Sequence, residues 1–339
     1  MAQSLATKYR PQDWEDVCSQ RSVVHILNRQ LETHNIKNSY LFAGASGCGK
    51  TTIARIFAKK INGNVGEPIE IDGASNNGVD NVKSIINAAK ERSIDSEYKI
   101  YIIDECHALS NQAWQAFLKA IEEPPAYTIF MFCTTDPQKI PNTILNRVQR
   151  FNISRISTQQ ITERLKFICK QEGFTNYVEA CEYIAKISDG GMRDAISTLE
   201  KCSGYSNDLA IQNVLESLGN YSYESFFELV NAIIDGNEKV VIKTIDDFYN
   251  KGNDLKIFVD KFFTFIMDID KYALFNDVEI TSIPSNYEGD IKRCVAFENP
   301  TNYYSYLLDK LLNVKQVIKD DSNLKNTVIV MFLQMTRCQ

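Results

Sequence analysis

Apolar positions change period repeatedly over the first 150 residues of the chain. Val23, Val24, Ile26, Leu27 and Leu31 keep the spacing of a helix face, and Tyr40-Leu41-Phe42 is a short strand-like run that ends at Gly44. The pattern then predicts a helix from Gly49 to Ile61, a strand over Pro68–Asp72 and a helix from Val79 to Glu91. Tyr98–Asp104 and Thr128–Cys133 are near-continuous apolar runs of strand length, as in strands buried on both faces, and Trp114–Ile121 between them reads as helix. Alternation of this kind predicts an α/β domain, a parallel sheet with helices on both faces. After Phe151 the pattern turns wholly helical. Ile161–Cys169, Val178–Ile187 and Met192–Cys202 predict three short helices, with Asp189-Gly190-Gly191 as the break before the last. A looser segment, Gly204–Asp208, precedes a final helical block to Gln339 with apolar runs such as Phe258, Phe262, Phe263, Phe265 and Ile266. The expected domains are 1–154 (α/β), 155–204 (three helices) and 205–339 (all helical).

Composition narrows the class. With 44% hydrophobic and 24% charged residues in 339, the chain can bury several cores and is not disordered. No run approaches the ~18 apolar residues of a membrane span, and Met1–Arg10 has no apolar signal core, so a cytoplasmic protein is expected. Net charge is −6, which excludes a protein coated overall for nucleic acid. From Gly204 onward there are 20 acidic and 13 basic residues, a net of −7, leaving +1 before it, so any nucleic-acid contact belongs to the N-terminal region. The nine cysteines are scattered and include no CxxC pair, so no zinc site is expected and a reducing compartment is implied.

Three strand ends carry candidate chemistry. Gly44-Ala45-Ser46-Gly47-Cys48-Gly49-Lys50-Thr51 matches GxxxxGK[ST] between a predicted strand and a predicted helix. In that context the backbone amides and the helix dipole face phosphates, Lys50 reaches the β- and γ-phosphates, and Thr51 offers a hydroxyl to Mg²⁺. Thr52 completes the binding stretch. Ile102-Ile103-Asp104-Glu105-Cys106-His107 puts two carboxylates at the end of a buried strand, where Asp104 would hold Mg²⁺ through water and Glu105 would polarise the attacking water. His107 reads as structural. Cys133-Thr134-Thr135-Asp136 ends the next strand, where a hydroxyl could touch the γ-phosphate and the attacking water. Arg147 closes a short predicted helix from Pro141, and Arg193 begins the last of the three helices. On pattern alone each could equally be a solvated arginine.

Together these pieces resemble the ATPase subunits of the bacterial sliding-clamp loader, the gamma/tau family of DNA polymerase III, in the AAA+ class. The matching text is Lys8-Tyr9-Arg10-Pro11-Gln12, the phosphate-binding loop, Asp72-Gly73-Ala74-Ser75, Asp104-Glu105-Cys106-His107-Ala108-Leu109, Glu122-Glu123-Pro124-Pro125, Thr134 to Pro141, Thr143-Ile144-Leu145-Asn146-Arg147 and Gly191-Met192-Arg193-Asp194-Ala195. The resemblance is dense over about residues 5–202; beyond that it rests on helical character and length.

The resemblance implies an AAA+ nucleotide-binding domain, a helical lid and a helical collar. It makes Arg147 an arginine finger directed at a neighbour's ATP, Thr135 (or Thr134) the first sensor and Arg193 the second, and it sets Tyr9, Arg10 and Pro11 near the base. It also implies ATP and Mg²⁺ as cofactors and a ring of about five related chains. Within that ring, hydrolysis would load a sliding clamp onto primer–template DNA through phosphate contacts, for which Ser75, Asn76, Asn77 and Lys83 are candidates. The chain departs from the family at Asn146-Arg147-Val148, where Ser-Arg-Cys is usual, and in lacking the four-cysteine zinc module between Ile61 and Ile71. It also has no tau-type C-terminal extension, so a compact form is expected. A helicase, suggested by Asp-Glu-Cys-His, would need a second motor domain that the block after Gly204 does not offer. A catalytically silent ring subunit would not need the intact loop, carboxylate pair and finger.

Overall fold

The computed structural model describes residues 3–218, 223–250, 252, 254–318 and 323–337. Two compact units make up the chain: Met1–Phe174 with Ile184–Ser203, and Thr175–Tyr183 with Gly204–Gln339. In the first lie α1 (Leu5–Lys8), α2 (Arg21–Glu32), β1 (Ser39–Gly44), α3 (Lys50–Ile61), β2 (Ile69–Asp72), α4 (Val79–Ala89), β3 (Lys99–Asp104), α5 (Asn111–Glu122), β4 (Thr128–Thr134), α6 (Asn142–Leu145), β5 (Gln149–Ile153) and α7 (Thr158–Glu172). The boundary between the units passes through α8 (Tyr177–Ile187) and α9 (Met192–Tyr205).

The five strands form one parallel sheet in the order β2-β3-β4-β1-β5. Period-two alternation sends successive side chains to opposite faces. Tyr40, Phe42, Ile100, Ile102, Ile129, Met131 and Cys133 pack with Leu27, Ile53 and Phe57 of α2 and α3. Their neighbours Leu41, Tyr101, Ile103, Phe130 and Phe132 pack with Val82 of α4 and with Trp114 and Phe117 of α5. Both faces are covered, which is why β1, β3 and β4 read as continuous apolar runs.

One expectation needs correction. The helical pattern expected after Phe151 begins a few residues later, because Gln149–Ile153 pairs with β1 as an unpredicted fifth strand, Phe42 opposite Phe151. It is an edge strand with Phe151 and Ile153 buried and Arg150 and Asn152 exposed, so its five residues carry no apolar run. At the other edge β2 is largely exposed and its Glu70 and Asp72 are compatible with that position. The first helix after the sheet, α7, begins with a capping box in which Ser157 and Gln160 bond each other's backbone, and ends at Gly173 in the left-handed region.

The second unit contains α10 (Ile211–Ser217), α11 (Tyr223–Ile234), α12 (Glu238–Asn250), α13 (Leu255–Phe275), α14 (Glu288–Cys294), α15 (Pro300–Val317) and α16 (Leu324–Arg337). Phe258, Phe262 and Phe265 line one face of α13 and meet Phe226 and Phe332, with ring centroids 5.2–6.0 Å apart. Asp268, buried on the same helix, is satisfied by Lys271 Nζ at 2.8 Å and the Ser282 amide at 2.9 Å. Among the described residues no helix is long and apolar enough to cross a membrane. No group of three or more His, Cys, Asp or Glu among them is arranged to hold a metal, and Cys338 lies outside the described residues.

Candidate active site

The loop between β1 and α3 is a backbone cradle. Gly47 and Gly49 hold φ of +69° and +100°, a region that penalises a side chain, and a Cβ at Gly44 would strike the Ile153 carbonyl. The amides from Ala45 to Gly49 donate to no protein acceptor among the described residues, so the concave side of the loop presents N–H groups next to the N-terminus of α3. Lys50 is 6% exposed and its Nζ lies back over the loop, 2.9 Å from the Ala45 carbonyl. The next residue, Thr51, donates its hydroxyl to Asp104 Oδ2 at 2.8 Å. Buried cation, inward amides and paired hard oxygens are the donor set that a polyphosphate with Mg²⁺ requires, so residues and group fit.

Two carboxylates leave the end of β3 in different directions. Asp104 is held by Thr51 and by the Glu105 amide, which donates to Oδ1 at 3.0 Å. Glu105 has φ of +44°, a left-handed conformation uncommon outside glycine. Its Oε2 accepts from Thr135 Oγ1 at 3.1 Å and lies 3.2 Å from His107 Nδ1. Thr134 is fully buried, and its hydroxyl oxygen accepts from the Asp136 amide at 3.0 Å and faces His107. Of the two threonines, Thr135 is therefore the one that touches the carboxylate.

The segment Tyr9-Arg10-Pro11 lines the same cleft. The Tyr9 hydroxyl donates to Glu172 at the end of α7, Lys8 Nζ reaches that carboxylate at 2.7 Å, and Arg164 Nη2 donates to the Tyr9 carbonyl at 3.0 Å. These contacts hold the Glu172 carboxyl below its ordinary range, Lys8 first and Tyr9 second, while burial and then Glu172 push the Tyr9 phenol up. Burial lowers Arg10, and the neighbouring charges of Arg55 and Arg193 lower it further. Positive charge thus converges on this side of the cleft. Arg193 and Met192 enter at the start of α9, where the Met192 amide donates to the Gly47 carbonyl at 3.0 Å. A Cβ on Gly191 would come within 2.8 Å of Asp194 Oδ2 and 3.4 Å of the Ser46 carbonyl, so glycine lets α9 approach the loop this closely.

Ser46 to Thr52, Asp104, Glu105, Tyr9, Arg10, Pro11 and Arg193 therefore surround one cleft, and Gly44, Ala45 and Thr135 stand directly behind it. Arg147 is elsewhere, half exposed, bonded to Glu122 Oε1 at 2.7 Å and to the Thr143 carbonyl at 2.8 Å. Of the candidate DNA residues, Ser75, Asn76 and Asn77 lie on the turn between β2 and α4, and Lys83 is exposed on α4. Ser75 donates to Asp72 Oδ2, Asn76 Nδ2 donates to the Asp72 carbonyl at 3.0 Å, and Lys83 faces Asp80 at 3.6 Å. Sequence reading missed Val17, Cys18, Ser19, Ile156, Arg164 and Ile196, which also line the cleft. None belongs to a local motif, and Arg164, partly buried on α7, carries no signal in the sequence pattern.

Three family models match in chain order. "DNA polymerase III, delta subunit" covers residues 68–157, "DNA polymerase III clamp loader subunit, ATPase lid domain" 160–203, and "DNA polymerase III subunits gamma and tau domain III" 209–323. The chain is 30% identical over 339 residues to DNA polymerase III subunit gamma of Buchnera aphidicola subsp. Acyrthosiphon pisum, covering 94% of each chain. It is 37% identical over 286 residues to subunit tau of Bacillus subtilis, covering 78% of this chain and 51% of that protein. The chain spans about half the length of the first of the curated relatives it matches, 51% for the Bacillus subtilis and Mycoplasma genitalium proteins. Among solved structures it is similar in fold to the Thermotoga maritima RuvB Holliday junction branch migration motor, with a TM-score of 0.53 and 20% identity over 67% of this chain and 79% of that one.

Proposed function

Since the chain belongs to the gamma/tau family of DNA polymerase III clamp-loader subunits, we propose that it is an ATP-hydrolysing motor subunit that opens a sliding clamp and places it on primer–template DNA. The observation that carries this reading is the juxtaposition of the amide cradle, Lys50 and the Thr51–Asp104 pair at 2.8 Å, with Glu105 one residue further on. Thr51 and Asp104 would hold Mg²⁺, which when bound supplies positive charge to the phosphate oxygens. The loop amides from Ala45 to Gly49, together with Lys50, bind the β- and γ-phosphates, and the side of the cleft formed by Tyr9, Arg10 and Pro11 receives the base. Glu105 takes up the proton of the attacking water, Thr135 orients it, and Arg193 tracks the phosphates from α9.

Arg147, outside its own chain's cleft, acts on the nucleotide of a neighbour in a ring of about five related chains. Residues 1–154 form the motor, 155–204 the lid and 205–339 the acidic collar, in the cytoplasm. DNA contacts go to phosphates on the motor side, around Ser75, Asn76, Asn77 and Lys83.

Steady-state ATP hydrolysis by the complex assembled on this chain tests the reading. Clamp and primer–template junction together should raise turnover well above either alone, since both favour the state that seats Arg147 at the next cleft. The stimulation should fall steeply with salt and depend little on DNA sequence. Turnover indifferent to clamp and junction would reduce the chain to an ATPase of other purpose.

A further inference from the structure

His107 was expected to be structural, yet its ring faces Glu105. On a helix, side chains at i and i+2 do not face each other. Here the left-handed backbone of Glu105 (φ +44°) and the tight turn after it, in which the Ala108 amide donates to the Glu105 carbonyl at 3.0 Å, bring His107 Nδ1 to 3.2 Å from Glu105 Oε2. Cys106 between them is fully buried and anchors the turn.

Two oxygens lie at the same distance from Nδ1: Glu105 Oε2 and Thr134 Oγ1, each at 3.2 Å. A lone pair on Nδ1 would oppose the carboxylate, which only accepts, so the arrangement selects the tautomer with hydrogen on Nδ1. Thr134 cannot shift away, because it is buried and its oxygen accepts from the Asp136 amide. Thr135 donates to the same Oε2 at 3.1 Å. Oε2 of Glu105 thus has the Thr135 hydrogen bond on one side and, on the other, the imidazole at ion-pair distance, itself held by its hydrogen bond with Thr134 Oγ1.

From this geometry we infer that His107 is a positioning residue for hydrolysis: with Thr135 it fixes Oε2 of Glu105 and so directs Oε1 toward the attacking water. The inference rests on the role of Glu105 proposed above. Loss of the imidazole removes the group packed against Oε2 and frees the carboxylate to rotate without touching the nucleotide, so it should lower kcat and leave binding unchanged. Misplacement of a reacting group by about 1 Å can cost up to ~10²-fold, and loss of one of the two groups that flank Oε2 should cost about 10-fold.

Four variants of the full chain, His107→Ala, His107→Asn, His107→Gln and Glu105→Gln, separate the outcomes. The amide nitrogen of asparagine can stand where Nδ1 is, and that of glutamine stands nearer Nε2. His107→Ala and His107→Gln should lose about 10-fold in kcat with KM and nucleotide affinity unchanged, and His107→Asn should recover most of it. Adding His107→Ala to Glu105→Gln should lower kcat no further. Equal loss in all three His107 variants accompanied by a lower melting temperature, or wild-type kcat in His107→Ala, would overturn the positioning role. If Glu105→Gln itself hydrolyses ATP normally, the parent reading fails instead.

Discussion

Lys50 and Glu105 line the same cleft but belong to different parts of the proposed reaction. Lys50 is a buried cation that bonds the Ala45 carbonyl and has no carboxylate partner among the described residues, so its charge is available to an anion. Lys50→Ala should weaken ATP binding about 10–100-fold, the equivalent of about 1.5–3 kcal/mol for a hydrogen bond to a charged group, measured by calorimetric titration. Equal affinity for both proteins would remove the loop from phosphate binding. Glu105→Gln keeps the shape and loses the base, so ATP should bind as in wild type while kcat falls ~10²–10⁴-fold. Both motifs are legible in sequence, because each is a local run whose spacing is set by a strand end. The partners of Glu105 are less so: Thr135 and Thr134 are equivalent on paper, and only the fold turns one to the carboxylate and buries the other.

The elements differ in how plainly they announce themselves. β3 and β4 are apolar on both faces and are visible as runs, whereas β5 shows only Phe151 and Ile153 and is made a strand by pairing with β1. The turn after β2 is a second case. Gly73 donates its amide to the Asp104 carbonyl at 2.7 Å, and a Cβ there would stand 2.8 Å from that carbonyl oxygen and 3.0 Å from the Glu105 carbonyl oxygen, both backbone atoms. Gly73→Ala must therefore displace the backbone that carries Asp104 and Glu105. It should destabilise the chain by about 1–3 kcal/mol and lower kcat further than this loss explains, read by thermal unfolding alongside turnover. Gly289→Ala is the control: it lies in α14 with no atom within 4 Å of the new Cβ, and should leave stability unchanged or raise it by about 0.5–1 kcal/mol. A Gly73→Ala protein as stable and active as wild type would show that the β2 turn does not support the β3 end.

At the scale of the molecule the proposed division of labour is between the cleft and Arg147. Arg147 pairs with Glu122 in its own chain, half exposed, and such pairs contribute little to stability. It can be drawn off by a neighbour's phosphate at small cost. Arg147→Ala should leave nucleotide affinity of the mutated chain intact and cut turnover of the ring by on the order of 10³-fold. Mixing Arg147→Ala with Glu105→Gln chains should restore activity, since the second supplies a finger to the intact cleft of the first. Equal loss in the isolated chain and in the ring would mean that Arg147 acts in cis. The −7 charge of residues from Gly204 onward, against +1 before them, assigns DNA to the motor side in this scheme.

Residue order alone determines the alternation of strands and helices, the phosphate-binding loop, the carboxylate pair and the helical remainder, because each depends on neighbours within a dozen positions and on periodicities of two and 3.6. It also carries the family text on which the gamma/tau membership was anticipated. Only the tertiary structure decides which strand lies beside which, that α9 delivers Arg193 to the loop through Gly191, that Arg164 fastens the Tyr9 carbonyl, and that His107 turns onto Glu105. These meetings join residues far apart in sequence, or reverse a side chain through an unusual backbone angle. Their energies come from contacts that no local pattern contains.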